Sequence, residues 1–238
     1  MTDAVKTLKE WTDAAHKIVF FGGAGVSTES GIPDFRSTGG LYHQEWSYPP
    51  ETILSHTFYK SNPEEFFRFY RTKMLCPEAK PNAAHKKLAQ WEQEGRLLAV
   101  VTQNIDGLHQ AAGSRNVYEL HGSVHRNHCE RCGKFYSLDH ILHTTGVPRC
   151  ACGGIIKPDV VLYEEALNEQ VMDGAVQAIA AADMLIIGGT SLNVWPAAGL
   201  INYFRGEHLV LINKSAVARD LTADLVITDP IGEVLAQL

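Results

Sequence analysis

The sequence predicts an α/β protein in which helices cover a parallel sheet, with a smaller metal-binding unit beside it. Three observations lead to this prediction. Short apolar runs alternate with helical stretches, several of these runs end in glycine or small polar residues, and two close cysteine pairs interrupt the pattern. Alternating strands and helices are typical of a parallel sheet, because parallel neighbours need a crossover connection that is usually a helix.

The elements are predicted in chain order from these patterns. The opening stretch 3–16 is helical and leads into 18–21, a β-branched and aromatic run that forms the first strand. A helix is predicted over 83–94, where Gly95 closes it. Further strands are predicted at 97–101, 184–187, 209–212 and 225–227.

Glycine and small polar residues follow four of the predicted strands, at 22–25, 102–104, 188–191 and 213–215. In an open α/β sheet the ligand lies outside the carboxyl ends of the strands. Four polar strand ends therefore indicate one elongated polar ligand, and a dinucleotide fits that description.

The first of these loops matches a dinucleotide-binding fingerprint in part. Gly23 and Gly25 would let the backbone approach a pyrophosphate, and the Ser27 and Thr28 hydroxyls would bind its oxygens. Thr28 replaces the third glycine of G-x-G-x-x-G, so the loop alone is weak evidence.

Two cysteine pairs, Cys129-x-x-Cys132 and Cys150-x-Cys152, indicate a zinc site. Four thiolates match tetrahedral Zn²⁺, and they close its coordination shell, so we expect one structural ion without a catalytic role. The alternative is two structural disulfides or four unrelated thiols, but no secretory signal is apparent that would imply an oxidising compartment. Cys76 is the odd thiol, which we expect to be a buried small apolar residue.

Composition excludes two classes of partner. The chain of 238 residues has a formal net charge of -6, with acidic and basic residues interspersed. General affinity for nucleic acid depends on clustered Lys and Arg, so we expect no nucleic-acid partner. No apolar run reaches the roughly twenty residues that a bilayer-spanning helix needs. We therefore expect a soluble, cytoplasmic protein with no membrane partner.

Four motifs in a fixed order give the chain a family resemblance. They are 22–36, which ends in Pro33-Asp34-Phe35-Arg36, then Thr102-Gln103-Asn104-Ile105-Asp106, Glu119-Leu120-His121-Gly122 and the cysteine pairs. With these motifs the chain resembles the sirtuins, NAD-dependent protein lysine deacylases, and is most similar to their compact bacterial members. The resemblance implies an inverted Rossmann-type sheet with helices on both faces, in a large NAD-binding lobe formed by 1–36, 81–122 and 158–238. It implies a small lobe in which 37–80 is a helical module and 123–157 is the zinc ribbon.

The resemblance also implies site residues in a cleft between the two lobes, with His121 and Asn104 as the catalytic pair. An acyl-lysine protein substrate would bind as an added strand between Val160, Val161 and Leu162 on one side and Asn193 and Val194 on the other. NAD, a consumed co-substrate, would contact Gly23, Ala24, Gly25, Thr28, Phe35, Arg36, Gln103, Asn104, Ile105, Asp106, His121, Gly189, Thr190, Ser191, Asn213, Lys214 and Ile231.

His121 is the predicted general base, because an imidazole with a pKa near 6.5 can accept a proton at neutral pH. In the implied reaction, the acyl group of acyl-lysine is transferred to ADP-ribose while nicotinamide leaves. His121 would activate a ribose hydroxyl in that transfer. The released nicotinamide would also act as a product inhibitor.

Two local features bear on specificity. Many sirtuins have Phe-Gly-Glu where this chain has Tyr163-Glu164-Glu165, so we expect a changed peptide preference that favours basic residues beside the acyl-lysine. Desuccinylating members carry Tyr-x-x-Arg, which Tyr70 and Lys73 match only in part because lysine lacks the bidentate fork of arginine. We place both on the exposed face of a helix and expect deacetylation. Desuccinylation, another deacylation and protein ADP-ribosylation are the alternatives.

Overall fold

The computed structural model describes residues 1–35, 40, 46–215 and 222–238 of the chain. Within them the strands are β1 (Ile18–Gly22), β2 (Leu97–Thr102), β3 (Val117–Glu119), β4 (Gly122–Cys129), β5 (Phe135–Ser137), β6 (Ile156–Val160), β7 (Met184–Gly188), β8 (His208–Ile212) and β9 (Leu225–Ile227). The α-helices are α1 (Asp3–Ala14), α2 (Pro50–Ile53), α3 (His56–Ser61), α4 (Pro63–Phe69), α5 (Ala83–Gln93), α6 (Leu108–Ala112), α7 (Leu138–Leu142), α8 (Glu169–Ala181) and α9 (Ile231–Leu235). Short 3₁₀ turns lie at Ala24–Val26 and Thr28–Ser30, a longer one at Ala197–Tyr203, and a π-helical turn at Tyr70–Met74.

The larger sheet has six strands in the order β3-β2-β1-β7-β8-β9, and every neighbouring pair is parallel. All five residues of β1 and of β7 are buried, as expected for the central strands of a sheet that is covered on both faces. The strand order reverses direction between β1 and β7. That point is where open α/β sheets bind their ligands, outside the carboxyl ends of the strands.

Helices cover both faces of the larger sheet. Phe20 on β1 shares a buried cluster with Leu8 of α1 and Leu88 of α5, whereas the next residue, Phe21, shares one with Ile179 of α8. Successive side chains of a strand point to opposite faces, so this alternation divides the core into two layers. The predicted parallel sheet with helices on both faces is confirmed.

A smaller antiparallel sheet, in the order β5-β4-β6, packs with α2, α3, α4 and the π-helical turn. Its core is rich in aromatic rings. Tyr59 and Phe66 have ring centroids 5.0 Å apart, and Phe66 and Phe67 have centroids 5.1 Å apart in an edge-on arrangement. Tyr70 is only 1% exposed, which contradicts the expectation of an exposed helix face at this position. Tyr70 follows Phe66 by four residues, so the two rings lie on one helix face and stack with centroids 5.8 Å apart inside the core.

The strands predicted at 18–21, 97–101, 184–187, 209–212 and 225–227 all form. The first helix ends at Ala14, two residues earlier than predicted, because Ala15 already has extended backbone. Strands β3 to β6 were not predicted. Two of them have only three residues, and β4 carries polar side chains along most of its length. The domain boundaries drawn from the resemblance stay a prediction.

Across the described ranges, no helix has the length and the apolar character that a membrane span requires.

Gly122 joins the two sheets, and this position tolerates no side chain. Its φ is +76°, and a Cβ built there would collide with the carbonyl oxygen of Asp159 on β6. We predict that Gly122→Ala lowers the free energy of unfolding by at least about 3 kcal/mol, because left-handed strain and a backbone collision add. Denaturant unfolding measures this change.

Gly146→Ala is the matched control for that substitution. Gly146 also has a positive φ, +59°, but no atom lies within 4 Å of a Cβ built there. This substitution introduces only backbone strain, so it should lower the free energy of unfolding by about 1 kcal/mol. If both variants lost the same amount of unfolding free energy, the collision with the Asp159 carbonyl oxygen would not contribute.

Candidate functional site

A cleft of about 1190 Å³ lies between the carboxyl ends of the larger sheet and the smaller lobe. All the predicted NAD and peptide residues that the structure describes line this cleft. Arg36 lies outside the described residues. The roles of these residues stay predictions. The predicted site residues that line the cleft are Gly23, Ala24, Gly25, Thr28, Phe35, Gln103, Asn104, Ile105, Asp106, His121, Val160, Val161, Leu162, Gly189, Thr190, Ser191, Asn193, Val194, Asn213, Lys214 and Ile231.

The floor of the cleft is a backbone contact between the ends of β1 and β7. Gly25 donates its N–H to the Gly189 carbonyl at 2.8 Å, and Gly23 donates to the Gly188 carbonyl at 3.2 Å. A Cβ on Gly25 would lie 2.7 Å from the Gly189 Cα. The approach of the two chain segments therefore requires glycine here before any ligand is considered. Gly189 itself has a φ of +58°, so its turn is also restricted to glycine.

Ser27 and Thr28, whose hydroxyls are predicted to bind phosphate oxygens, both form hydrogen bonds within the protein. Ser27 is 1% exposed, and its hydroxyl donates to Asp106 Oδ2 at 2.6 Å while accepting from Asn104 Nδ2 at 3.1 Å. Thr28 donates its hydroxyl proton to the Gly25 carbonyl at 3.0 Å. Ser27 therefore orients Asn104, and its predicted contact with phosphate stays a prediction. The segment forms two 3₁₀ turns, at Ala24–Val26 and Thr28–Ser30.

Gln103 connects the ends of β2 and β7. Its Nε2 donates to Thr190 Oγ1 at 2.9 Å, and the same oxygen accepts the Leu192 N–H at 3.2 Å. Leu192 has a left-handed φ of +55°, an uncommon conformation for a branched side chain. The bond to Thr190 compensates this strain and fixes the turn that leads to Asn193 and Val194.

His121 lies between the two sheets with one ring nitrogen already committed. Its Nδ1 is 3.0 Å from the carbonyl oxygen of Gln103. A carbonyl can only accept, so Nδ1 carries the proton and Nε2 is left as the basic nitrogen. Burial lowers the pKa of His121, and the bond to the Gln103 carbonyl partly opposes that shift. The imidazole is therefore neutral at pH 7 with a defined tautomer.

The backbone on each side of His121 is tied to a different sheet. Leu120 donates its N–H to the Thr102 carbonyl at 2.9 Å, and the His121 carbonyl accepts from Val161 N at 3.0 Å. The imidazole thus sits where a strand of the larger sheet passes into a strand of the smaller one. This placement agrees with its position in the cleft lining.

The predicted peptide edge at 160–162 is partly satisfied within the protein. Leu162 donates its N–H to Glu165 Oε2 at 2.9 Å, and its carbonyl accepts the Glu165 N–H at 3.0 Å. The Val160 carbonyl accepts from Lys157 Nζ at 3.0 Å. The edge is therefore more closed than the sequence implied, and Val161 is its central residue on the cleft.

The four cysteines of the ribbon come together as one cluster. Their sulfurs all lie within 4.8 Å of one another, and none forms a disulfide. The sulfur atoms of Cys129 and Cys152 are 3.4 Å apart, those of Cys132 and Cys150 are 3.6 Å apart, and those of Cys132 and Cys152 are 3.5 Å apart. A tetrahedral ion at about 2.3 Å from each sulfur places sulfurs about 3.8 Å apart. The donor set thus fits one metal ion, with little adjustment.

The turns that carry the cysteines require glycine at several positions. Gly133 and Gly153 follow the two pairs and have φ values of +72° and +85°. A Cβ on Gly154 would lie 2.7 Å from Cys129 Sγ, so this position also excludes a side chain. The backbone N–H of Arg131 points to Cys129 Sγ at 3.4 Å.

A sequence model described as the Sir2 family matches residues 23–196. The chain belongs to the Sir2 family. It is 60% identical over 239 residues to the NAD-dependent protein deacetylase of Clostridium acetobutylicum, with 99% of this chain and 98% of that protein covered. A solved structure of Sir2 with a p53 peptide and NAD⁺ has a TM-score of 0.86 at 38% identity and covers 100% of this chain and 97% of that one. A solved Sir2 structure with an acetylated peptide has a TM-score of 0.86 at 36% identity, with the same coverage.

Two residues near the Sir2 site differ from expectation or were missed. Cys76 lines the cleft and is only half-buried, so the expectation of a buried apolar residue was wrong. Asn82 was not singled out, although a polar residue directly before a helical stretch is a recognisable N-cap signal.

Asn82 joins helix α5 to the glycine-rich segment of the site. Its Oδ1 accepts the N–H groups of Ala84 and His85 and so caps the helix. Its Nδ2 donates to the Val26 carbonyl at 2.8 Å and to Ser30 Oγ at 3.0 Å. One amide therefore caps α5 with its oxygen and holds both 3₁₀ turns of the site with its nitrogen.

We predict that Asn82→Asp separates these two functions. The carboxylate keeps the cap, which the helix dipole also favours, but it has no N–H for Val26 and Ser30. Hydrogen exchange over residues 24–31 should become about fivefold to tenfold faster, since about one net hydrogen bond is lost. Global stability should change by less than about 1 kcal/mol.

Asn168→Asp is the control for this variant. Asn168 caps α8 through Oδ1, which accepts the Val171 N–H at 3.1 Å, and it does not line the cleft. Exchange at 24–31 should be unchanged in this control. Unchanged exchange in Asn82→Asp as well would show that the amide does not hold the segment.

Proposed function

We propose that this protein is an NAD-dependent protein lysine deacetylase. The observation that carries the proposal is the neutral His121 imidazole, whose Nδ1 is bound to the Gln103 carbonyl and whose Nε2 is left as a base in the cleft. The Clostridium acetobutylicum relative, at 60% identity, has this activity in its name. A solved relative with NAD⁺ and a peptide supports the same pair of substrates.

The residues of the cleft fit a dinucleotide. Two glycine turns at Gly25 and Gly189 form a floor without side chains, and the ends of β1, β2, β7 and β8 all line the same space. Bound NAD would supply an electrophilic ribose carbon and the ADP-ribose that accepts the acyl group, with nicotinamide as the leaving group. The floor would hold the pyrophosphate, and Asn213, Lys214 and Ile231 would contact the adenosine end.

His121 would act as the general base through Nε2. The donated bond from Nδ1 fixes the ring orientation, so the nitrogen does not need to reorient before it takes a proton. Asn104 would be the polar partner at the ribose, because its amide is held by Ser27, which is held in turn by Asp106. Phe35 lines the cleft and would exclude water from this end of it.

The ion of the cysteine cluster would be a single structural Zn²⁺. Four thiolates leave no position for water or substrate. Strand β4 has eight residues and runs from Gly122, next to His121, to Cys129. Gly122 pairs with Val160 and Cys129 with Ile156 on β6, so the two ends of β4 lie four residues of β6 apart, roughly 13 Å at about 3.3 Å per residue, and the ion would not contact the substrate at the base.

Deacetylation is favoured over desuccinylation by the surroundings of Tyr70. Its ring is buried among the aromatic residues of the smaller lobe, so its hydroxyl does not face the cleft. Arg71 donates to the carbonyl oxygens of Ile141 and Gly146 and is not available to an acyl carboxylate. Lys73 lines the cleft, and it keeps desuccinylation as the second candidate. Protein ADP-ribosylation, the other alternative, would use the same NAD site but would not require edges that bind a substrate peptide as an added strand.

Nicotinamide is the proposed product inhibitor, and the cytoplasm is the proposed location of the protein. The proposed division into lobes follows the boundaries given above.

Incubation with NAD and acetyl-, succinyl- and longer-acyl-lysine peptides, followed by mass spectrometry, tests the activity. We expect free lysine, nicotinamide and acetyl-ADP-ribose from the acetyl peptide. His121→Ala should lower the rate at least about 10²-fold, because positioned general bases contribute that much or more. His143→Ala removes an exposed imidazole outside the cleft and is the control. Full activity of His121→Ala, or transfer of ADP-ribose to protein instead, would contradict the proposal.

The pH dependence of kcat/KM gives a second test of the base. Because burial lowers the pKa of His121, the neutral and active form persists below the ordinary value of 6.5. The acidic limb should therefore have its midpoint below pH 6.5, with full activity at pH 7. A midpoint at or above 6.5 would argue against His121 as the titrating group.

Metal analysis tests the ribbon. We expect one zinc per chain in the purified protein, and unfolding of 122–160 when a strong chelator removes it, since zinc binding of about 10 to 16 kcal/mol is comparable with a domain's stability. Hydrogen exchange and elemental analysis measure both effects. Cys132→Ser should lose the metal, whereas Cys76→Ser, outside the cluster, should keep it. A metal-free ribbon with native protection would contradict the assignment.

A further inference from the structure

Glu164 lies on the cleft directly beyond the predicted peptide edge at 160–162. Its φ is +76°, in the left-handed region that non-glycine residues rarely adopt. Such a conformation persists only where surrounding contacts enforce it, and it often marks a functional position. The contacts that enforce it can be named.

The backbone next to Glu164 is fixed by the segment between α2 and α3. Tyr163 donates its N–H to the Leu54 carbonyl at 2.9 Å, and its own carbonyl accepts the His56 N–H at 3.0 Å. A parallel bridge joins Tyr163 to Ser55 between these two bonds. The rim of the cleft is thus a rigid part of the smaller lobe at this point.

The Glu164 carboxylate is held in one place. Its Oε2 accepts the Thr57 N–H at 2.9 Å and the Thr57 hydroxyl at 2.7 Å. The hydrogen bonds from Thr57, with a smaller contribution from nearby His56, lower the pKa of Glu164, so the group is ionised at neutral pH. Within the described ranges, no ion pair includes Glu164.

The neighbouring Glu165 is different, because its charge is already compensated. Its carboxylate lies 2.8 Å from His56 Nδ1 and 3.1 Å from Lys157 Nζ, and it also accepts the Leu162 N–H. Two adjacent carboxylates therefore have separate functions. Glu165 closes the fold of the rim, while Glu164 lines the cleft as a carboxylate without an ion pair among the described residues.

Exposed aromatic rings follow both predicted peptide edges. Tyr163, after the first edge, is 37% exposed, and Trp195, after the second, is 62% exposed. Both residues line the cleft, as does the exposed carboxylate of Glu51. A cation is attracted both to carboxylates and to aromatic faces, whereas an acidic side chain is repelled here.

We propose that Glu164 is a specificity-determining residue that favours acyl-lysine substrates with a lysine or arginine close to the modified residue. The proposal rests on the proposed deacetylase function and names the class of protein substrate for it. Thr57 is the positioning residue that holds the carboxylate toward the groove.

The test uses one acetyl-lysine peptide frame in which each flanking position carries Lys, Ala or Glu in turn. We expect kcat/KM for the best Lys peptide to exceed that for the matching Glu peptide by about fivefold at low salt, the size of an exposed ion pair. Glu164→Gln should bring this ratio close to one. High salt should also reduce the ratio in the unmodified protein, because exposed charges are screened.

Two variants control for indirect effects. Glu169→Gln removes the same charge from an exposed position outside the cleft and should keep the ratio. Thr57→Val removes the hydroxyl bond to the carboxylate but keeps the bond from the Thr57 N–H, so Glu164 is held less firmly with its charge unchanged, and the ratio should be intermediate. Equal kcat/KM for Lys and Glu peptides in the unmodified protein, or an unchanged ratio in Glu164→Gln, would overturn the proposal.

Peptide binding measured by fluorescence anisotropy without NAD separates this proposal from the proposed function. Tighter binding of the Lys peptides, lost in Glu164→Gln, would support the role of Glu164 even if no peptide were deacetylated. Deacetylation of all peptides with no difference in binding would leave the proposed function in place and overturn the role of Glu164.

Discussion

The close approach of β1 and β7 at their carboxyl ends is the constraint on which the site depends. Gly25 and Gly189 meet backbone to backbone, and a methyl group at either position would separate the two turns. Because the strand order of the larger sheet reverses between these strands, this contact also forms the floor of the crevice. The same glycines therefore close the sheet and leave a surface without side chains, on which an extended polar ligand can lie.

A second constraint is the passage of the chain from one sheet to the other at His121. The residues before it are bonded to β2, the residue after it begins β4, and its own carbonyl is bonded to Val161. A single residue with φ of +76°, Gly122, makes the change of direction possible. The backbone of His121 is consequently held by both lobes. The hydrogen bond from Nδ1 to the Gln103 carbonyl also fixes the tautomer of the ring.

The sequence predicted the parts of the molecule that depend on local pattern. Buried strands with apolar runs, polar strand ends and paired cysteines all carry a signal within a few residues, and these predictions agree with the structure. The hydrogen bonds of the Ser27 hydroxyl to Asp106 and Asn104 could not be predicted in this way. Its partner Asp106 is 79 positions away, and only the fold brings the two side chains together. Tyr70 was assigned to an exposed helix face, although it follows the buried Phe66 by four residues and stacks on its ring. The exposure of Cys76 depends on the position of the cleft, for which the local sequence carries no signal.

The cysteine cluster explains how a remote ion can control the shape of the cleft. Strand β4 begins at Gly122, next to His121, and ends at Cys129, so an ion bound by the cysteines would anchor the end of this strand that is remote from His121. Arg71 ties the ribbon to the helical segment through the carbonyl oxygens of Ile141 and Gly146, and Lys60 adds an ion pair to Glu130 at 2.7 Å. The helices so fixed include α3, whose Thr57 holds Glu164. A structural ion would therefore act on peptide selection through rigid contacts, without approaching the substrate.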